Sequence, residues 1–196
     1  GIEYSHGVEA SGLDAEKKEA VLKELSTGKS DKIGCDNLIL AMGSCPTILN
    51  IPGVEKSGVH TFTTYDAARE VLTDVKPSGS ALVIGAGFIG LEIAEALMKR
   101  GMKVYFNVRS RILRRLLEPD MSAYLINKAI QHGLTLLTGD SISEIGGKEK
   151  VESIKFKGET IPVSMVILGA GVLPSLEFIK GTPLTLGKTG ALKVNQ

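Results

Sequence analysis

Gly85, Gly87 and Gly90 lie in the run Val83-Ile84-Gly85-Ala86-Gly87-Phe88-Ile89-Gly90-Leu91-Glu92, at the spacing G-x-G-x-x-G. Each glycine suits one step in holding a pyrophosphate. The first permits a tight strand-to-helix turn, the second lets phosphate approach the backbone, and the third lets helix and strand pack closely. The N-terminus of the helix that follows offers unpaired N–H groups and a partial positive charge to the anion. The pattern alone is weak. Here it follows a continuous apolar run, Ala81-Leu82-Val83-Ile84, and opens an apolar-faced segment from Leu91 to Lys99. That context points to dinucleotide binding.

A second group of residues bears on which dinucleotide. A cofactor with a free ribose 2′-hydroxyl usually meets an Asp or Glu at the end of the next strand. In Lys103-Val104-Tyr105-Phe106-Asn107-Val108-Arg109-Ser110-Arg111 that position is Val108, followed by Arg109, Arg111, Arg114 and Arg115. A carboxylate would repel a 2′-phosphate, whereas guanidinium groups grip one bidentately. The sequence therefore favours NADP(H) over NAD(H). The alternative for this cluster is a solvated charge run at a helix entrance.

These residues need elements to position them. Ala81–Ile84 reads as a strand buried on both faces. Leu91–Lys99 puts Ile93, Ala94, Leu97 and Met98 on one helical face and stops at Gly101. Lys103–Val108 is a second strand, Met121–His132 a second helix closed by Gly133, and Leu134–Leu137 a third strand. Alternation of this kind predicts an α/β fold with a Rossmann-like parallel sheet. Ser141–Pro162 reads as an inserted antiparallel β-meander, with turns at Gly146-Gly147 and Lys157-Gly158, and Ser164–Leu168 as another buried strand. Upstream, residues 1–44 read as a small β-rich piece. Gly1-Ile2-Glu3-Tyr4 is a short run, Ser11–Lys18 and Ser26–Lys32 are turn-like, and Asp36–Gly43 has a buried-strand pattern. Residues 44–80 read as irregular, with one helix at Thr64–Leu72 capped by Thr63 or Thr64. Residues 174–196 read as loop and short strand.

Bulk properties exclude other classes. The chain has 196 residues, 43% hydrophobic and 23% charged, which excludes disorder. Lys+Arg at 23 against Asp+Glu at 22 argues against a basic nucleic-acid binder. No apolar run is long enough for a membrane helix, and no secretory leader opens the chain. Cys35 and Cys45 form no CxxC motif or disulfide framework, so a reducing, cytoplasmic setting is expected. His6, His60 and His132 lack ligand spacing, so no metal site is expected. Thr27-Gly28-Lys29-Ser30 imitates the end of a P-loop, but Lys23 stands where the pattern needs Gly, and a hairpin turn is the better reading. Cys45 reads as a packing residue.

The order of motifs resembles a family. Leu38–Pro46, Ile51-Pro52-Gly53, Gly85–Glu92, Val166–Pro174 and Leu186–Val194 together look like the middle of a flavin-dependent pyridine nucleotide-disulfide oxidoreductase. That family includes NADH oxidases, coenzyme A-disulfide reductases, ferredoxin and rubredoxin reductases and glutathione reductase-like enzymes. The resemblance covers essentially the whole chain and specifies the superfamily rather than one substrate. It implies that residues 1–44 are the incomplete tail of an FAD-binding domain and 45–80 a crossover segment. Residues 81–175 would be the NAD(P)-binding domain, and 176–196 a return toward the FAD domain.

An opening without Met is expected of a segment of something longer, whose remaining FAD and dimerisation domains would be partners. The resemblance assigns Gly85, Gly87, Ile89 and Gly90 to the pyrophosphate loop. Phe88 would cover the flavin, the alternative being a plain core residue, and Glu92 would lie near nicotinamide and flavin. Arg109 with Arg111 or Arg114 would form the 2′-phosphate grip, and Gly169 a backbone site beside the cofactor. Ala41 and Gly43 match a turn near the flavin phosphates, with Met42 replacing the usual Thr. The implied activity is hydride transfer from NADPH or NADH to FAD and on to a disulfide, dioxygen or a redox protein. The alternative is a pyridine-nucleotide binding module without turnover of its own, since this segment lacks most of the flavin site.

Overall fold

The computed structural model describes residues 1–194. The chain divides into two compact units, Gly1–Cys45 with Leu173–Gln196, and Pro46–Val172.

The first unit begins with three antiparallel strands in the order β1-β2-β3: Val8–Asp14 (β1), Glu19–Glu24 (β2) and Ser30–Gly34 (β3). Register shifts between Ala10 and Gly12, leaving Ser11 as a bulge against β2. The β1–β2 turn is held by Lys17 N donating to Asp14 Oδ1 at 3.0 Å, with Lys18 at φ 56°. Thr27-Gly28-Lys29 forms the β2–β3 turn, with Gly28 at φ 71° and its N–H bonded to Glu24 O at 2.8 Å.

Two expectations for this unit fail. Gly1–Tyr4 forms no strand, and the first strand instead runs through Ser11–Asp14, read from sequence as turn. Asp36–Gly43 forms no strand either. A buried-strand pattern requires a layer to bury it, and Ile39 is 90% exposed with no ladder partner among the described residues. Ser44–Pro46 (β4) follows.

The second unit carries the parallel sheet. Its elements are Val59–Thr61 (β5), Tyr65–Asp74 (α1), Ser80–Ile84 (β6), Phe88–Lys99 (α2), Lys103–Val108 (β7), Pro119–Gln131 (α3) and Thr135–Thr138 (β8). Glu144–Gly146 (β9), Ser153–Phe156 (β10), Glu159–Pro162 (β11) and Met165–Leu168 (β12) complete it. Five parallel strands run in the order β5-β12-β6-β7-β8, and β11-β10-β9 form a separate antiparallel sheet. β5 was not foreseen. Three half-buried residues at the sheet edge are too few to display a period.

Strand alternation builds two cores, because successive side chains point to opposite faces. Ala81, Val83, Val104, Phe106, Met165 and Ile167 pack with Val71 of α1 and Ile93, Ala94 and Leu97 of α2. Leu82, Ile84, Val166 and Leu168 pack with Ile145, Ile154 and Phe156 of the meander. The parallel sheet is therefore covered by helices on one face and by an antiparallel sheet on the other.

Local signals end the elements. Thr64 Oγ1 caps α1 by accepting from Ala67 N at 3.1 Å. α2 and α3 stop in the same way. Gly101 (φ 81°) and Gly133 (φ 100°) turn the chain, and Met102 N and Leu134 N bond back to Leu97 O and Ala129 O. Lys157 and Gly158 both have positive φ between the paired residues Phe156 and Glu159, a two-residue hairpin turn of the I′ kind. The chain returns to the first unit through Val172–Pro174 (β13), which pairs with β4. It ends in a 3-10 turn at Glu177–Ile179 and a bridge between Leu186 and Leu192.

Candidate functional site

Parallel strands deliver their following loops to one edge of the sheet. Leu168, Ile84 and Asn107 are in register across β12, β6 and β7, and Val108 pairs with Thr138 of β8. The chain therefore leaves these strands side by side at Gly169, Gly85, Arg109 and Gly139.

The β6–α2 turn is built from close backbone approaches. Gly85 adopts φ 122°, and a Cβ there would stand 2.1 Å from Gly169 O. A Cβ on Gly90 would stand 2.1 Å from Gly85 O. Gly169 N donates to Ile84 O at 2.7 Å, which fixes the neighbouring strand end. Gly87 differs. A Cβ there would meet nothing within 4 Å. Gly87 is the N-cap of α2, no side chain caps the helix, and no acidic residue lies in the first turn. Among the described residues, the first N–H groups of this 12-residue helix thus have no side-chain acceptor. Phe88 and Ile89 are exposed beside them. Glu92 is exposed one turn further and borders a groove between α1 and α2 lined by Val71, Leu72, Ile93 and Leu97.

The residues after β7 divide by destination. Val108 is buried in the helix-side core. Among the described residues, Arg109, Arg114 and Arg115 have no side-chain hydrogen bond or ion pair, and all three are exposed. Arg111 is committed elsewhere. Its guanidinium bonds Leu117 O, Ser122 Oγ at 3.3 Å and Arg114 O at 2.9 Å. Ser122 is buried and donates in turn to Ile112 O at 2.9 Å. Arg111 therefore pins the 112–118 loop, and its expected place in a phosphate grip does not match this geometry. The same loop reaches the glycine turn, where Leu113 N donates to Ala86 O at 2.8 Å.

Two residues were missed from sequence. Asn107 is buried, and its amide donates to Leu137 O at 3.2 Å and Asp140 O at 3.0 Å. Ser122 is the other. The available signal for Asn107 was a single polar residue inside the apolar run 104–108.

Ala41 and Gly43 belong to the first unit. Ala41 is exposed, while Gly43 has φ 68° and its carbonyl accepts from Ser175 N at 3.1 Å. Cys45 is exposed rather than packed, with Sγ donating to Leu173 O at 3.6 Å. Among the described residues, no three His, Cys, Asp or Glu side chains cluster to hold a metal, and no helix is long and apolar enough to cross a membrane.

Comparison with known proteins gives this arrangement a context. An NADH oxidase of Methanocaldococcus jannaschii is 32% identical over 192 residues, covering 96% of this chain and 43% of that protein. The structure of a NAD-dependent persulfide reductase from A. fulgidus superposes with a TM-score of 0.88 at 29% identity, covering 96% of this chain and 35% of that one. A FAD-dependent pyridine nucleotide-disulphide oxidoreductase from Desulfovibrio vulgaris gives 0.81 at 26% identity, covering 94% and 48%. The chain thus spans less than half the length of these relatives. Residues 1–196 match the family described as pyridine nucleotide-disulphide oxidoreductase, and the chain belongs to that family.

Proposed function

We propose that this chain is the dinucleotide-holding part of a flavin-dependent NAD(P)H oxidoreductase. One observation carries the reading. The α2 N-terminus has no side-chain cap and no acid in its first turn, and the glycine before it leaves open space where a Cβ would stand. Such a cradle fits a pyrophosphate, whose charge the helix N–H groups and dipole would stabilise. A nicotinamide dinucleotide bound there supplies a hydride, for which the acceptor in the larger protein would be FAD and then a disulfide, dioxygen or a redox protein. The residues of the chain bind and orient. Gly85 and Gly90 set the turn, Phe88, Ile89 and Glu92 flank its mouth, and Gly169 supports it from β12.

Val108 and Arg109 support NADP(H) over NAD(H). The ribose-side acid is absent, and an uncommitted guanidinium follows directly. Arg114 is also free to assist. Two of the relatives named above are described by NADH or NAD, so the proposed difference is local to residues 108–115. Residues 1–44 and 176–196 are proposed to belong with FAD-binding parts, including Ala41 and Gly43 near its phosphates, and the setting is proposed to be cytoplasmic.

Calorimetric titration of the purified chain with NADPH and NADH tests this. Arg109→Ala should weaken NADPH by about 1.5–3 kcal/mol, the range of a charge-assisted contact, and leave NADH nearly unchanged. Equal weakening of both would dismiss the 2′-phosphate contact. No binding of either would dismiss the dinucleotide reading. A colourless protein that binds NADPH would favour the binding module without turnover, and a yellow one with a flavin band the enzyme.

A further inference from the structure

Asn107 is the one buried polar residue in β7, Lys103–Val108, and it is 3% exposed. A buried amide without partners is costly, so its environment must repay desolvation. Both amide hydrogens are used: one on Leu137 O at the end of β8, the other on Asp140 O in the loop beyond. Both partners are carbonyl oxygens, so only the NH2 side of the amide can face them. The backbone carbonyl of the same residue accepts from Gly85 N at 3.4 Å. One residue thereby ties the β6–α2 glycine turn, the end of β7 and the loop after β8.

The location gives this tie a consequence. Val108 pairs with Thr138, so Arg109 and the Gly139-Asp140 turn leave the sheet side by side. Gly139 has φ 82°, a conformation that bends the chain sharply at this point. The Asn107 amide clamps the far side of that bend at Asp140 O. The loop that walls the exit of Arg109 is therefore held by a side chain two residues before it.

We infer that Asn107 is a positioning and specificity-determining residue, whose side-chain amide holds the Leu137–Asp140 turn so that Arg109 meets the adenosine end of a phosphorylated dinucleotide. This rests on the dinucleotide reading above. Asn107 touches no ligand itself. Replacing it should damage the discrimination Arg109 provides, not merely stability.

The test is titration of NADPH and NADH into the wild-type chain and two variants, with thermal melts of each. Asn107→Leu keeps the approximate size and removes both donors. It should raise the NADPH dissociation constant roughly tenfold, with a smaller change for NADH, so that the affinity ratio falls. Asn107→Ser retains one donor and should give an intermediate ratio. If Asn107→Leu fails to fold, the ratio for Asn107→Ser decides. Lowered melting temperatures with an unchanged NADPH-to-NADH ratio would make Asn107 a purely structural residue and overturn the inference. A wild-type chain that binds neither nucleotide would remove the dinucleotide reading, and this inference with it.

Discussion

A single added methyl group separates the roles of the three motif glycines. At Gly85 it would strike Gly169 O in a backbone already at φ 122°, and at Gly90 it would strike Gly85 O. At Gly87 it would enter empty space. Gly85→Ala or Gly90→Ala should therefore cost stability, about 2–4 kcal/mol in denaturant unfolding. Gly87→Ala should melt near the wild-type temperature yet lose dinucleotide affinity, because the methyl stands where phosphate would approach. Equal loss of stability in all three would show that the open space at Gly87 is not there in solution. These glycines were legible in the sequence through their spacing in the motif, although only at Gly85 and Gly90 does the folded chain itself exclude a Cβ. The arginines were legible as a cluster but not as individuals. Arg111 turns inward because the 112–118 loop, with Leu113 at φ 48°, folds back over it, and spacing carries no trace of that.

α1 ends with a charge opposed to its own dipole. Asp74 is its last residue, and no basic residue lies in its last turn. The conflict is settled from outside the helix, by His60 Nε2 at 2.9 Å and Lys150 Nζ at 3.0 Å. Burial pushes the Asp74 carboxyl up, but the hydrogen bonds and charges of Lys150 and His60 outweigh it and hold the carboxyl below the usual carboxylate range. A carboxyl depressed in the folded state adds stability that is complete above its unfolded value and fades as pH falls through its folded one. Asp74→Asn should thus lower stability by about 1.5–3 kcal/mol at neutral pH. The gap to wild type should close under acid conditions, below about pH 4, when followed by urea unfolding across pH. A constant gap at all pH values would exclude the ion pair as its source.

The helices themselves were readable to within a few residues, since caps such as Thr64 and stops such as Gly101 and Gly133 act locally. β5 and the unpaired Asp36–Gly43 segment were not. Strand identity depends on a neighbour that the local sequence does not name.

The residues proposed to meet the dinucleotide phosphates, from Gly85 to Gly169, lie within Pro46–Val172. That unit has both of the described hydrophobic cores. Residues 46–172 produced alone are expected to bind NADPH within about threefold of the whole chain by calorimetry, since a domain with its own core can hold its own site. A large drop would mean that the first unit contributes to the nucleotide contact.

One feature of the parallel sheet governs how this unit comes into being. β12 occupies the place between β5 and β6, yet it is the last of the five strands to be synthesised, and Val166 must find Val59 across more than a hundred residues of intervening chain. Closing so long a loop is slow, and pairings of this range dominate folding rates. While the unit is being translated, β5 and β6 wait with an empty slot between them and apolar edges uncovered. Growing chains that stall before Met165 should accordingly be the ones that need chaperone protection.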